Sequence, residues 1–416
     1  MKRIAKYYKY VMAGLGTLMT ICIFGFANAT NGLYLEYVTK DTGFSHTAFS
    51  WVFSIRFIVT AIFFALFETV YQKLKLRRTV VIGAMLLSAA YLAFSFSRTI
   101  VVFYLMAVLW GVAIAFTTNT VFVKITDLWF AEHKGLVLGI MFGGSGIGGF
   151  IANLLVSDWI TRYGWMTAYR LSGIIFFVLG IILLLFFKNG PQDVGLPPLE
   201  TPEARQGGKD EVSQTLPLAR RLVRRPFFYM VTALAFLVGF LTNPIYTAAT
   251  THLIDRGISP GFVAGMLSVM FFILALTKTV IGYMYDRLGL KRVVLMCLGA
   301  DVLAILLLSR AATTAHVIAY TALIAIAIPL ETVMMPMIVK DLMGGRVYRL
   351  MYGFFMAVCT AGSAIGNPVI NAAYDRDGTY VPVLGVLTLL ALGAAALFWV
   401  CTRLSGRFKD GECPED

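Results

Sequence analysis

Apolar runs of eighteen or more residues recur along almost the whole chain, separated by short polar or basic stretches. A run of that length crosses a ~30 Å hydrocarbon core as an α-helix, in which every backbone polar group is bonded within the segment. The pattern predicts twelve spans, at 11–36, 46–70, 79–97, 100–126, 135–157, 167–187, 226–252, 261–285, 292–310, 314–340, 347–373 and 380–403. Composition points the same way. Of the 416 residues 59% are hydrophobic and 14% charged, against ~25% charged in soluble proteins, which is too little charge to coat a water-soluble fold. The expected fold class is an all-α integral membrane protein.

An even number of spans returns both ends of the chain to one side. With the N-terminus in the cytoplasm, and with residues near the approximate span edges counted in the adjoining segments, about 25 of the 35 Lys and Arg fall in cytoplasmic segments, about 7 outside, and 3 (Arg56, Lys124 and Lys278) well within spans. The positive-inside rule favours this orientation. Basic loops facing an anionic leaflet account for the net charge of +13, so no nucleic-acid partner is implied. The start, MKRIAKYYKY with an apolar run and then Ala27-Asn28-Ala29, also has the outline of a signal peptide. Its removal would leave eleven spans and break the pairing of halves described next, so it is read as the first span. Cys22, Cys297, Cys359, Cys401 and Cys413 form an odd, scattered set without ligand spacing; no disulfide framework, metal or cofactor follows.

Between Lys188 and Pro226 the hydrophobicity collapses into a Pro-, Gly- and charge-rich stretch, the composition of a linker. The expected domains are a six-helix bundle at 1–187, a cytoplasmic linker at 188–225, a second six-helix bundle at 226–404 and a cytoplasmic tail at 405–416. The halves resemble each other. An offset of 214 places ETVYQKLKLRR (68–78) on GYMYDRLGLKR (282–292), Thr118 on Thr332, Asp127 on Asp341 and Gly139 on Gly353. At 218, GSGIGGFIAN (144–153) meets GSAIGNPVIN (362–371) with five identities in ten. Three matches in one order argue for a duplicated unit, and parallel repeats about an axis along the membrane normal are a transporter architecture with a midplane substrate site.

GYMYDRLGLKR resembles the loop between the second and third helices of a half in the major facilitator superfamily, of form G-x-x-x-D-R-x-G-x-K/R-K/R. The resemblance covers all twelve spans and implies two pseudo-symmetric six-helix bundles. It implies a conformational motif of Gly282, Asp286, Arg287, Lys291 and Arg292, in which Gly282 allows close helix approach. Asp286 and Arg287 make charge-assisted bonds to neighbouring helix ends that break as the halves rock. In the first-half copy Glu68, Gln72 and Lys75 stand at the Gly, Asp and Gly positions. WFAEHKGLVLGIMFGGSGIGG (129–149), YGWMTAYR (163–170) and HLIDRGISPGFVAGMLS (252–268) resemble the monocarboxylate transporter and oxalate/formate antiporter branch. That branch's Arg four residues before the span-8 Gly is Lys278 here. Val358 occupies the place of its second cation, which turns the expectation away from dicarboxylates.

Lys278 is the central candidate, because intramembrane cations commonly face water-filled pathways. Read that way, it holds a substrate carboxylate; read structurally, it snorkels or pairs. As a compact point charge it can also take part in proton exchange. Glu331 follows Ile328-Pro329-Leu330, where the proline frees a carbonyl and bends the helix; it is either a counter-ion for Lys278 or Lys124, or a proton carrier. Asp255, at the outer mouth, is a solvated loop residue by default, while the branch implies proton coupling there. Asn119 and Tyr34 offer hydrogen bonds to substrate from the first half, or ordinary interhelical bonds. Arg56 is read as a surface anchor or a partner of Asp158, and Lys124 with Asp127 as a pair on one helix face. The glycines of 139–149 read as close helix packing, with no phosphate loop implied.

These features point to a monomeric secondary active transporter of the cell (inner) membrane. It moves a small monocarboxylate such as lactate, pyruvate or acetate by proton symport through alternating access. Its partners are the small organic anion, protons and the bilayer. Organic anion antiport is the alternative. An enzyme is not expected, since the four His residues at 46, 133, 252 and 316 are dispersed and no nucleophile elbow, nucleotide loop or metal pair is present. A transporter-like receptor is expected to add a signalling domain, for which the linker and tail of this chain are short.

Overall fold

The structure, a computed structural model, describes residues 2–130, 134–195 and 223–405. Most of the linker and tail, and His133, lie outside the described residues. Twelve helices are long and apolar enough to cross a membrane. In chain order, as spans 1 to 12, they are Tyr7–Thr42, His46–Phe64, Leu76–Phe94, Ile100–Thr126, Val137–Tyr163, Trp165–Phe186, Pro226–Asp255, Pro260–Leu288, Leu290–Ser309, Thr314–Met343, Gly353–Asp377 and Val381–Leu404. The described residues contain no strand. The predicted all-α, twelve-span fold is therefore the observed one, with helix edges displaced by a few residues.

Local chemistry sets the helix ends. Ser45 caps the helix of span 2, its Oγ accepting from the Ala48 amide at 3.1 Å. Spans 7 and 8 begin on Pro226 and Pro260, whose missing N–H is an orphan at that position anyway. Between spans 8 and 9 the chain turns through Gly289, with φ +76 and ψ 166. At the aligned position between spans 2 and 3, Lys75 adopts φ 62 and ψ 158. The backbone of the repeat thus persists where its glycine has been lost.

Three spans depart from regular helix. Span 1 carries a π-helical segment, Thr20–Ala29, between Lys2–Met19 and Asn31–Thr42. Neither proline nor charge marks it, so the hydropathy pattern gives no sign of it. Span 4 breaks at Thr118, which leaves helical geometry with φ -124 and ψ -137. Span 10 breaks after Ala327, as Pro329 predicts, and continues through a π-helical turn, Leu330–Met334.

Contacts divide the chain into two compact units. One consists of spans 1 to 6 with Pro260–Ala275, the first part of span 8; the other consists of span 7, the rest of span 8 and spans 9 to 12. Each unit contains a tight glycine-mediated helix pair built on the repeated motif. In the first, a Cβ on Gly144 would lie 2.9 Å from the Thr17 carbonyl, and one on Gly148 would collide with the Ile21 carbonyl, so spans 1 and 5 touch backbone to backbone. In the second, Gly362 and Gly239 stand in the same way against the carbonyls of Phe236 and Cys359, joining spans 7 and 11. Gly144 and Gly148 are the offset-218 counterparts of Gly362 and Gly366. Even the terminal asparagines of the motif act alike: Asn153 Nδ2 donates to Gly149 O at 2.9 Å and Asn371 Nδ2 to Asn367 O at 2.8 Å.

Candidate functional site

Lys278 lies in the second unit on the Pro260–Leu288 helix, ten residues before its end, or ~15 Å at 1.5 Å per residue. The helix runs three residues past the predicted edge at 285. The side chain is half-buried. Glu331, half-buried on the π turn of span 10, is close enough for its carboxylate to act on the Lys278 charge. The proline that creates this turn also links the two spans. Pro329 has no N–H for the Ala325 carbonyl, and Thr277, the residue before Lys278, supplies the missing donor: its Oγ1 lies 2.7 Å from Ala325 O. Cation and carboxylate are thus held by two spans bonded to each other one residue from Lys278 and within two turns of Glu331.

Asp255 ends the span-7 helix, exposed, and accepts a hydrogen bond from the Tyr374 hydroxyl at 2.7 Å. Tyr374 stacks on Tyr380 with centroids 4.5 Å apart, and the Tyr380 hydroxyl donates to Asn371 at 2.6 Å. Buried His252, one turn before Asp255, is edge-on to Tyr380 and lies 3.0 Å from Leu308 O. The aspartate is anchored to span 11 through a tyrosine, which its default reading as a solvated loop residue does not anticipate.

The conformational motif differs from its expected form. A Cβ on Gly282 would meet nothing within 4 Å, so close helix approach is not its role in this conformation. Asp286 and Arg287 are exposed, with no ion pair to another described residue; Arg287 lies over the Tyr283 ring at 5.5 Å. Lys291 and Arg292 are exposed too, Lys291 5.8 Å above Trp399. The bond that the motif does make comes from Tyr285, whose hydroxyl donates to both Asp341 oxygens at 3.1 and 3.0 Å.

Other sequence readings are corrected in the first unit. Tyr34 is 1% exposed, stacked on Tyr169 with centroids 3.8 Å apart, its hydroxyl 3.3 Å from Ser172 Oγ. It belongs to an aromatic core with Tyr91, Phe94 and Phe103, and is not open to a substrate here. Arg56 neither reaches the surface nor pairs with Asp158, which binds Arg162 at 2.6 Å. It is 3% exposed, donates to Asn28 on the π-helical segment, and lies between the rings of Phe57 and Trp110 at 3.9 and 4.8 Å. Lys124 sits 4.8 Å above the Tyr71 ring. The side chains of Asn119 and Asp127 lie outside what the structure describes; their backbone belongs to the Asn119–Trp129 helix.

One group escapes the sequence reading. Asp301, in span 9, is 2% exposed, and its Oδ1 has no partner among the described residues. The signal was available as a lone acid in the otherwise apolar run VVLMCLGADVLAILLLS. A surface depression of about 460 Å³ at the end of the first unit, bordered by Lys40, Asp41, Arg98 and Trp165, contains none of the predicted site residues. Asp41 is already engaged there by Trp165 Nε1 at 3.0 Å and Arg98 at 3.4 Å. Among the described residues no group of three or more His, Cys, Asp or Glu could hold a metal ion.

Comparison with known proteins closes the question of family. The profile of the Major Facilitator Superfamily matches residues 17–338. The chain is 23% identical over 403 residues to "MFS-type transporter 1" of Ophiocordyceps sp. (strain BCC 1869), covering 95% of this chain and 85% of that one. It is 20% identical over 425 residues to "Monocarboxylate transporter 12" of Mus musculus, covering 95% and 86%. Its fold superimposes on the crystal structure of the nucleoside transporter NupG with a TM-score of 0.76 at 16% identity, over 95% of this chain and 99% of that one. With twelve apolar spans, a repeated glycine-packed helix pair in each unit and a family match over most of its length, this chain belongs to the Major Facilitator Superfamily.

Proposed function

We propose that this protein is a secondary active carrier of a small monocarboxylate of the lactate, pyruvate or acetate type, driven by proton symport through alternating access. The observation that carries this reading is the half-buried Lys278 ammonium deep in span 8, with the Glu331 carboxylate in electrostatic reach. Such a cation is costly in a membrane, ~2.5–3.5 kcal/mol on insertion scales, and an anion that enters beside it offsets that cost. One positive charge matches one carboxylate. The name of the Mus musculus relative is consistent with this substrate class.

In this mechanism Lys278 holds the anion while Asp255 or Glu331 exchanges the proton. The bundles 1–187 and 226–404 rock about the site, joined by the linker 188–225. The carrier acts as a monomer in the cell (inner) membrane with both termini cytoplasmic, the side that the 25 basic residues select. The test is uptake of labelled lactate by purified protein in liposomes. Uptake saturates, rises as the outer pH falls, and is abolished by Lys278→Ala; uptake unchanged by that substitution sinks the proposal. Organic anion antiport is the second reading, since Glu331 can neutralise Lys278 between two anions. Lactate counterflow with no pH-driven accumulation, in vesicles with and without protonophore, selects it.

A further inference from the structure

We infer that Asp301 is a proton-binding residue of this carrier, seated in the middle of the membrane within the second unit and beside the Tyr320 hydroxyl. That its proton is the co-transported one rests on the symport proposed above and puts Asp301 in the place given there to Asp255 or Glu331; that it binds a proton does not. Asp301 is the twelfth of the twenty residues of the Leu290–Ser309 helix, ~18 Å along it, and thus far from either end. At 2% exposure it has no hydrogen bond to Oδ1 from any described residue.

Among the described residues no cation stabilises its ionised form. The titratable groups within electrostatic reach of it are Cys297, one turn earlier on its own helix, and Tyr320 from span 10, on which Tyr246 of span 7 acts in turn. All three are neutral in their ordinary forms. Span 12 and the 330–343 stretch also touch span 9, yet no Lys, Arg or His among the described residues acts on Asp301. Glu331 is directed to Lys278 and Cys359 instead. A carboxylate without cation or full hydrogen bonding is among the most expensive groups to bury, and one proton removes its charge. The Tyr320 hydroxyl, on a side chain 2% exposed, is likewise without a partner among the described residues, so it does not hydrogen-bond Asp301 in this conformation.

The fold itself does not require this group. At the offset of 214 that relates the halves, Asp301 corresponds to Leu87 and Tyr320 to Met106, both packed into the apolar core of the first unit. An aspartate and a tyrosine have thus replaced two apolar residues in one copy only. Asp255 is exposed and bonded to Tyr374, and Glu331 has Lys278 beside it. Asp301 alone of the three depends on a proton for its neutralisation.

Infrared difference spectra of the purified protein in lipid, taken between pH about 5 and about 9, test this without any substrate. The expected result is a protonated-carboxyl band that is present at the acid end, fades toward the alkaline end, and is missing in Asp301→Asn. No Asp301-dependent band, or one unchanged across the range, overturns the inference. Asn is isosteric with the neutral acid; should that variant fold poorly, Asp301→Glu is expected to restore the band at a shifted position, and its failure to do so counts equally against. In lactate-loaded liposomes Asp301→Asn is expected to keep counterflow and to lose the accumulation, up to about tenfold per pH unit, that an inward proton gradient drives. Accumulation equal to the unsubstituted protein overturns the coupling. If the unsubstituted protein shows no lactate counterflow, the substrate reading has failed while the infrared result still stands.

Discussion

The Thr277 hydroxyl donates, at 2.7 Å, to the Ala325 carbonyl that Pro329 cannot serve. A proline in a helix leaves the carbonyl four residues earlier without a donor, and an unsatisfied buried carbonyl costs ~1–3 kcal/mol. We therefore expect Thr277→Val to lower stability by about that amount in thermal unfolding of the purified protein, and Thr277→Ser to be close to neutral. Pro329→Ala restores a backbone donor, so Thr277→Val should cost markedly less in that background. Additive effects in the double-mutant cycle refute the link.

Lys75 is the described non-glycine residue with positive φ, at a ψ that is essentially confined to glycine. Its counterpart Gly289 adopts nearly the same angles. Lys75→Gly should raise stability by ~1–2 kcal/mol despite the added freedom of the unfolded chain, and Gly289→Lys should lower it by a similar amount. Unfolding midpoints of both variants check the pair; a destabilised Lys75→Gly contradicts it.

The contrast between these two turns shows what the sequence could convey. GYMYDRLGLKR displays its glycine, aspartate and basic pair openly, and its degenerate copy is found because the offset holds elsewhere. Hydropathy locates spans because hydrocarbon thickness fixes their length. Pro329 announces a break because its chemistry forbids the bond. The π segment of span 1 is silent, since it holds neither proline nor charge, and the bond of its Asn28 to Arg56 is a tertiary one. For the same reason the partners of Arg56 are not legible, while Tyr34 makes the interhelical bond that is the second of its two readings: a period of 3.6 residues says which face a side chain takes, and not what the neighbouring helix places opposite. Asp301 was legible as a lone acid in an apolar run, but only burial and missing partners distinguish it from an interfacial residue.

The glycine pairs give a stability prediction in each unit. Gly362→Ala and Gly148→Ala place a methyl group into the backbone of a neighbouring span, and overpacking of that kind costs ~1–3 kcal/mol or more. Gly265, on span 8, has nothing within 4 Å of the position a Cβ would take, and Gly265→Ala is expected to gain ~0.5–1 kcal/mol of helix propensity. Fluorescence-monitored thermal unfolding in detergent ranks the three. Equal midpoints would show that the close approaches are relaxed in solution.

Arg56 is held by the geometry of its guanidinium. It donates to Asn28 and lies over two rings, Phe57 and Trp110. A lysine conserves the charge but has neither the planar fork nor the stacking face. We expect Arg56→Lys to lose ~2 kcal/mol, the scale of a desolvated cation–π contact with its hydrogen bond, and Asn28→Ala to lose less. Stability retained in Arg56→Lys assigns Arg56 a role through charge alone.

Lys278 and Glu331 make the closing prediction, because charge and activity can be separated there. Truncating one member of a fully buried pair leaves the other uncompensated and costs ~3–5 kcal/mol, less for half-buried groups such as these, whereas removing both is often nearly neutral. Lys278→Ala should accordingly be less stable than Lys278→Ala with Glu331→Gln, although neither transports lactate. Glu331→Gln alone removes the competitor for Lys278, so bound lactate is released less readily. Its KM for lactate should fall several-fold and its kcat should fall further, the pattern of a ground state bound too well. Lys278→Arg keeps the charge with a wider, forked head, and should retain uptake with a raised KM. If Glu331→Gln instead raises KM at unchanged kcat, Glu331 contacts the substrate and does not compete with it. The lysine would then need a different counter-ion in the empty carrier.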